Sequence, residues 1–308
     1  MDIARLRELW HQEHSKGTLT QGRGYVLDSP VLKTVQGTRY LRRAGVALIA
    51  QTQSHIGEVA DFLVGMGFGD ETGYSDYLDD NRTVPLTDGV AVAKFAGQLC
   101  YLSLGQARTR NVDAAKYIQH VIESGHGSVL EHVNYSLLIY GISRACTHEL
   151  VRHRHISPSQ VSQRYVAGRH LRFVETPESA GNPDLHTAFE SWIDLCERQY
   201  ELREQLILRD HKIDMKTAST DARKAVRQEA RRGLPNETEA PIMLTGNVRA
   251  WRGLIDQRST PYADVEVARL AWRIFVMLAN LEPLFWLDYE EKQRPDGIAY
   301  VETKWKKV

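Results

Sequence analysis

The chain has 308 residues, and its 39 Lys and Arg are balanced by 39 Asp and Glu, so the formal net charge is zero. That length holds one large domain or two small ones around a substantial core, and neutrality removes the global attraction that draws basic chains to nucleic acid or anionic membrane. No apolar run approaches the roughly 18 residues of a membrane span. Met1-Asp2-Ile3-Ala4-Arg5 lacks the apolar core of a signal peptide. Cys100, Cys146 and Cys196 are few, odd in number and far apart, which points to a reducing cytoplasm rather than to a disulfide framework or a thiolate metal site.

In chain order, residues 1–43 read as an N-terminal extension of unassigned role. Helical spacing over 3–14 is followed there by Gly17, Gly22, Gly24 and Pro30. Residues 44–308 read as the main domain. Residues 45–52 are rich in apolar and β-branched side chains and predict its first strand. The stretch 69–88, acidic and rich in Gly, Asp and Asn, predicts a loop. Helical periodicity follows at 91–102 and 112–123. Residues 133–142 alternate like a half-buried strand, and 143–151 predict a helix. A short strand at 170–176 is closed by Pro177. Long amphipathic helices are expected at 185–208 and 218–232, a strand at 240–245, and helices at 247–257 and 263–278. Strands and helices mix without βαβ regularity, so the expected class is α+β.

The segment from Arg152 to Arg164 concentrates chemistry: three arginines and two histidines interleave with three serines and two glutamines. Such donors suit an anionic ligand, since guanidinium forks onto phosphate oxygens. They follow an expected strand and helix, so ordered elements hold them, unlike donors on a tail. His148, Glu149, His153 and His155 are metal-ligand types, but Arg152 and Arg154 among them would repel a divalent cation, and no zincin-like or paired-Cys pattern is present; no metal is expected. Cys146 and Ser162 are the candidate nucleophiles. Cys146 shares a helix face with Glu149 and His153, yet a free cysteine is most often a small buried apolar group. Neutral charge and the lack of an accompanying aromatic platform weigh against reading the segment as a nucleic-acid-binding arm.

Arg152-His153-Arg154, seven residues, then Ser162 resembles the signature of the flavin-dependent thymidylate synthases. The likeness continues in order at residues 126–132, 141–150, 234–239 and 246–252, and then at Arg258 with 263–266. The resemblance implies a single mixed domain and reductive methylation of dUMP to dTMP. Methylenetetrahydrofolate would donate the carbon, and NADPH-reduced FAD the hydride, in a homotetramer whose sites are shared between subunits. It gives Arg258 the catalytic role of polarising the uracil ring. For dUMP it implicates Glu149, Leu150, Val151, Arg152, Gln160, Val161, Ser162, Gln163, Arg164 and Arg231. For FAD it implicates Ser128, Arg152, His153, Arg154, Gln160, Asn247, Val248 and Arg249. It also implies chemistry without a cysteine nucleophile. No GxGxxG motif supports a Rossmann-type flavin domain. Tyr262 stands where members commonly carry His, and Gly253 where they often carry His or Asn. These departures motivate an alternative, a related pyrimidine nucleotide methylase or hydroxymethylase with altered substrate or product.

Overall fold

Alternate residues Tyr135, Leu137 and Ile139, each at most 1% exposed, turn one face of a strand inward and set the layer on which the rest packs. A computed structural model of the chain describes residues 1–16, 25–56, 64–66, 86–101, 103, 113–166, 170–306 and 308. Its elements run α1 (Ile3–Ser15), β1 (Val26–Leu27), β2 (Leu32–Lys33), β3 (Arg39–Leu41), β4 (Gly45–Gln51), α2 (Asp88–Leu99) and α3 (Ala114–Glu123). After a 3-10 segment (Gly127–His132) come β5 (Asn134–Tyr140), α4 (Arg144–Leu150), β6 (Ser157–Gln160), β7 (Phe173–Val174), α5 (Pro177–Gly181), α6 (Pro183–Asp210) and α7 (Thr220–Ala230). The chain ends through β8 (Ile242–Asn247), α8 (Val248–Arg258), α9 (Val265–Leu281), β9 (Glu290–Gln293) and β10 (Ala299–Glu302).

The main sheet has five strands in the order β1-β4-β5-β8-β6, and each neighbouring pair is antiparallel. Helices cover it, so the mixed α+β class holds. Helix α9 lies in the core and is apolar almost all round: Val267, Leu270, Ile274, Phe275, Met277 and Leu278 are all buried, the pattern of a helix enclosed on every side. A second, smaller cluster of Tyr40, Phe173, Phe189, Ile193 and Cys196 sits where the three-stranded sheet β2-β3-β7 meets α6.

The sequence locates most helices and the strands β4, β5 and β8 to within a few residues. The expected loop at 69–88 lies almost wholly outside the described residues, and α2 begins at Asp88. The expected strand at 170–176 contracts to Phe173–Val174. Several elements are additional: the short strands β1, β2 and β3, the 3-10 segment (Gly127–His132), α5, the β9–β10 hairpin, and β6 inside the signature itself. Strand β6 pairs with β8 from Ser157↔Thr245 to Gln160↔Ile242.

The described part of residues 1–43 is packed into the same body. Leu6 and Leu9 are 1% and 2% exposed and belong to the core cluster that contains α9. The Glu13 carboxylate accepts from the Trp272 indole at 3.3 Å, and β1 extends the main sheet through Val26↔Ala47. Leu9→Ala is therefore expected to lower unfolding free energy by about 2–5 kcal/mol, the usual range for a buried Leu truncation. Chemical denaturation monitored on the whole chain checks this; an unchanged midpoint would mean that the segment is detachable.

Candidate active site

Helix α4 delivers the signature, and its position is over-determined. Gly141, between β5 and α4, has φ +64°, and a Cβ there would stand 2.4 Å from the Arg43 carbonyl oxygen, so only glycine makes this turn. Ser143 caps the helix by accepting from the Cys146 amide at 3.1 Å. Ser143 itself donates through N and Oγ to the two oxygens of Glu266, at 2.7 and 2.6 Å, which ties α4 to the first turn of α9. The chain then turns through Arg152-His153-Arg154-His155 and re-enters the sheet as β6. The arginine-rich segment is thus clamped between a helix and a paired strand.

Helix α8 forms the opposing wall. Asn247 caps it, accepting from the Ala250 amide at 2.8 Å. Arg252 is fully buried and makes a forked pair with Asp288, at 2.9 and 2.7 Å. It donates further to the Phe285 and Val308 carbonyls, at 2.5 and 3.0 Å. The same helix presents Arg249, Ala250, Gly253 and Gln257 to a cavity of about 660 Å³, completed by Glu131, Arg152, His153, Arg154, His155, Ile156, Asn247, Lys306 and Val308. Arg249 is held by Glu131 at 2.6 Å. The Arg152 and Arg154 side chains make no hydrogen bond or ion pair with any described residue. A Cβ added at Gly253 would meet nothing within 4 Å, so that wall is open.

Arg258, at the end of α8, spans two cavities. Its Nε donates to His153 Nε2 at 2.9 Å, while its two terminal nitrogens donate to Glu149 Oε2 at 2.9 Å and to the Glu149 carbonyl at 3.1 Å. His153 lines the 660 Å³ cavity; Glu149 and Arg258 line a second one of about 510 Å³, with Cys146, Asn236, Asp264 and Glu266. Burial lowers the His153 pKa from its ordinary 6.5, the Arg258 charge adds to the lowering, and Glu149 opposes it. The geometry requires the same state, because an imidazole nitrogen that accepts from a guanidinium is unprotonated. Cys146 is 1% exposed. Its thiol is pushed well above the usual range by burial and by the carboxylates of Glu266 and Asp264, the opposite of an activated nucleophile.

The residues expected from sequence are not all brought together in one chain. Arg152, His153, Arg154, Asn247 and Arg249 share the large cavity. Val161 and Gln163 line a separate one of about 390 Å³ with Arg39, Arg172, Tyr200 and Leu234. Gln160 reaches Thr147 Oγ1 at 3.4 Å, and Ser162 Oγ accepts from the Arg164 amide at 3.3 Å. Val151 is exposed. Exposed Ser128 and half-buried Arg231 line none of these three cavities. Leu150 and Val248 are 1% and 0% exposed, with side chains in the core, so a ligand contact at either would be made through the backbone. Tyr262 is 95% exposed and lines none of the three cavities. Sequence reasoning missed Glu131, His155, Gln257, Lys306 and Val308. Of these, His155 and Glu131 lay inside segments already singled out. Among the described residues no three His, Cys, Asp or Glu side chains are placed to share a metal ion, and no helix is long and apolar enough to cross a membrane.

The donor set fits a flavin nucleotide: uncommitted guanidinium groups suit its phosphates, and the volume lies in the range of small-molecule sites. Comparison with known proteins agrees. The family model described as thymidylate synthase complementing protein matches residues 84–284. A flavin-dependent thymidylate synthase of Mycolicibacterium gilvum is 42% identical over 228 residues, 74% of this chain and 90% of that protein. One from Mycobacterium avium is 42% identical over 209 residues, 68% and 83% of the two chains. The chain belongs to this family, the flavin-dependent thymidylate synthases. Its fold is also similar to that of a UMP/dUMP methylase from Streptomyces cacaoi bound with 5-Br dUMP, at TM-score 0.51 and 19% identity, over 79% of this chain and 93% of that one.

The Arg258–His153 contact has a measurable consequence. A histidine whose folded pKa lies below its unfolded value favours the neutral form. The stability it contributes is present above pH 6.5 and is lost as pH falls from there through the folded pKa. In an NMR titration His153 is expected to titrate below 6.5, and Arg258→Gln to move its midpoint upward. A midpoint unmoved by the substitution would mean that burial alone holds the ring neutral.

Proposed function

We propose that this protein methylates dUMP to dTMP, with methylenetetrahydrofolate as carbon donor and NADPH as the source of reducing equivalents. FAD would be held in the 660 Å³ cavity. Arg152, Arg154 and Arg249 would bind its phosphates there, beside His153 and Asn247. When bound, the flavin supplies the redox chemistry. The observation that carries the reading is the seat of Arg258, whose guanidinium stands at the junction of two cavities with its fork already occupied by an anionic group, Glu149 Oε2, at 2.9 Å. Uracil becomes a carbon nucleophile at C5 when its ring carries negative charge. A guanidinium stays protonated and offers planar paired donors, so it stabilises that charge on the ring. On this reading the nucleotide base takes over the donors that Glu149 now occupies, while the Nε bond to His153 keeps the group oriented.

Arg152, Arg164 and Arg231 are the residues proposed to hold the dUMP phosphate, with Gln160, Val161, Ser162 and Gln163 around the nucleotide. Within one chain these positions lie on separate surfaces, which supports a homotetramer whose sites are completed by a neighbouring copy. A cytoplasmic location belongs to the same reading. The open wall at Gly253 favours a second one, a relative acting on another pyrimidine nucleotide or making a hydroxymethyl product. Product analysis with dUMP and dCMP separates the two: dTMP from dUMP alone supports the first, and turnover of dCMP or a hydroxymethylated product supports the second.

Arg258→Lys keeps the charge and loses the fork. The variant is expected to retain bound flavin, read by absorbance, while dTMP formation falls roughly ten- to hundredfold, the scale of a lost charge-assisted hydrogen bond. Parent-like turnover by the variant would remove Arg258 from this role.

A further inference from the structure

A cavity of about 700 Å³ lies between α1, α9 and the turn of the β9–β10 hairpin, apart from the residues assigned above to dUMP or flavin. Its cations are Lys16, Arg43, Arg269 and Arg273, set against Glu13, Glu178 and Asp296. A neighbouring cavity of about 420 Å³ shares Arg43 and Arg269 and adds Arg42. Two of the acids are already engaged. Glu13 is paired with Lys16 and accepts from the Trp272 indole, and Asp296 stands 3.1 Å from Arg294; Glu178 is exposed. Arg42 is likewise committed, to Glu175 at 2.7 Å.

Arg43 and Arg269 are different: the side chain of neither makes a hydrogen bond or ion pair with any described residue. Arg273, whose side chain is 4% exposed, donates through one terminal nitrogen to the Asp28 carbonyl at 3.1 Å. Its Nε is buried without a hydrogen bond, 3.9 Å from Glu13 Oε2. Burial is the main influence lowering the pKa of both Arg269 and Arg273; Glu13 works against it, and the charge of Arg43 adds to it. Buried polar groups in folded proteins are almost always satisfied, and here four cations face three carboxylates, two of which are already engaged, so the excess positive charge is held at a cost. An anion placed among them would remove both penalties.

We propose that this cleft binds a phosphate-bearing small molecule, with the phosphate clamped between Arg43 and Arg269 and backed by Arg273. Phosphate is the chemistry that best fits several guanidinium forks at once, because it carries up to two charges and accepts paired donors. The two connected cavities leave room for the rest of a ligand larger than the phosphate itself. Arg43 precedes the stretch matched by the family model, which begins at residue 84, so the site depends on this chain's own N-terminal segment.

The test is the melting temperature of the full chain, with Arg43→Gln and Arg269→Gln beside the parent, so that phosphate bound in the nucleotide pocket, common to all three, is not what is read. Inorganic phosphate and pyrophosphate are titrated separately, beside sodium chloride at matched ionic strength. The parent is expected to gain stability from the phosphates but not from the chloride. In Arg43→Gln and in Arg269→Gln the half-maximal phosphate concentration is expected to rise at least about tenfold, the scale of one charge-assisted hydrogen bond. Without phosphate, both variants should melt no lower than the parent, because a repelling charge has been removed. The proposal is overturned if phosphate has no effect, if chloride reproduces it, if either variant keeps the full response, or if either melts lower without phosphate.

Discussion

The guanidinium of Arg252 is the point on which the site depends. It is fully buried on α8 and satisfied by Asp288 and by the Phe285 and Val308 carbonyls, with the Tyr289 ring 4.9 Å beneath it. A buried ion pair adds little net stability compared with apolar packing of the same shape, but stranding one partner costs several kcal/mol. What this pair supplies is placement. It locks the rotation of α8 and joins it to the segment after α9 and to Val308. Arg249, Gly253 and Gln257 consequently face one cavity while Trp251, Leu254 and Ile255 fill the core, and Arg258 emerges at the helix end beside α4.

The other half of the site is placed from α9. Glu266, in its first turn, holds Ser143, and Ser143 caps α4. One core helix therefore orients the helix that carries Glu149 and leads into His153, and packs against the helix that carries Arg258. The hydrogen bonds of Arg258 to His153 and Glu149 close the loop between them. The geometry of the candidate catalytic group is thus a property of the core rather than of a surface loop, which is what a preorganised charge-stabilising site requires.

Much of this was legible in the sequence where period and composition carry the information. The apolar run of α9, the alternation of β5 and the helix ahead of the signature are strong local signals. Strand β6 was not legible: Ser157-Pro158-Ser159-Gln160 is polar and exposed in large part, and only pairing with β8 makes it a strand. The β9–β10 hairpin was hidden for the same reason, since Glu290-Glu291-Lys292-Gln293 shows no apolar alternation. Within the site, the family pattern located blocks correctly but not faces. Val248 and Arg249 are adjacent in sequence, yet one is core and the other cavity wall, because successive helix positions diverge by about 100°. Lys306 and Val308 carry no local sign of their place; a buried arginine far back along the chain brings them there. The N-terminal helix showed its apolar stripe, but a stripe does not say which surface it will cover.

Both margins of the main sheet end in ways that resist growth. β1 contributes two residues, and β6 carries Pro158, which has no N–H to offer a further strand. Unprotected margins recruit other chains through the backbone without regard to sequence, the route to aggregation. Here the segment with the densest chemistry lies along such a margin, so its one proline and its side chains matter twice. They present arginine and histidine to a ligand, and they keep a newly made chain, crowded among identical copies, from mistaking its neighbour's strand for its own.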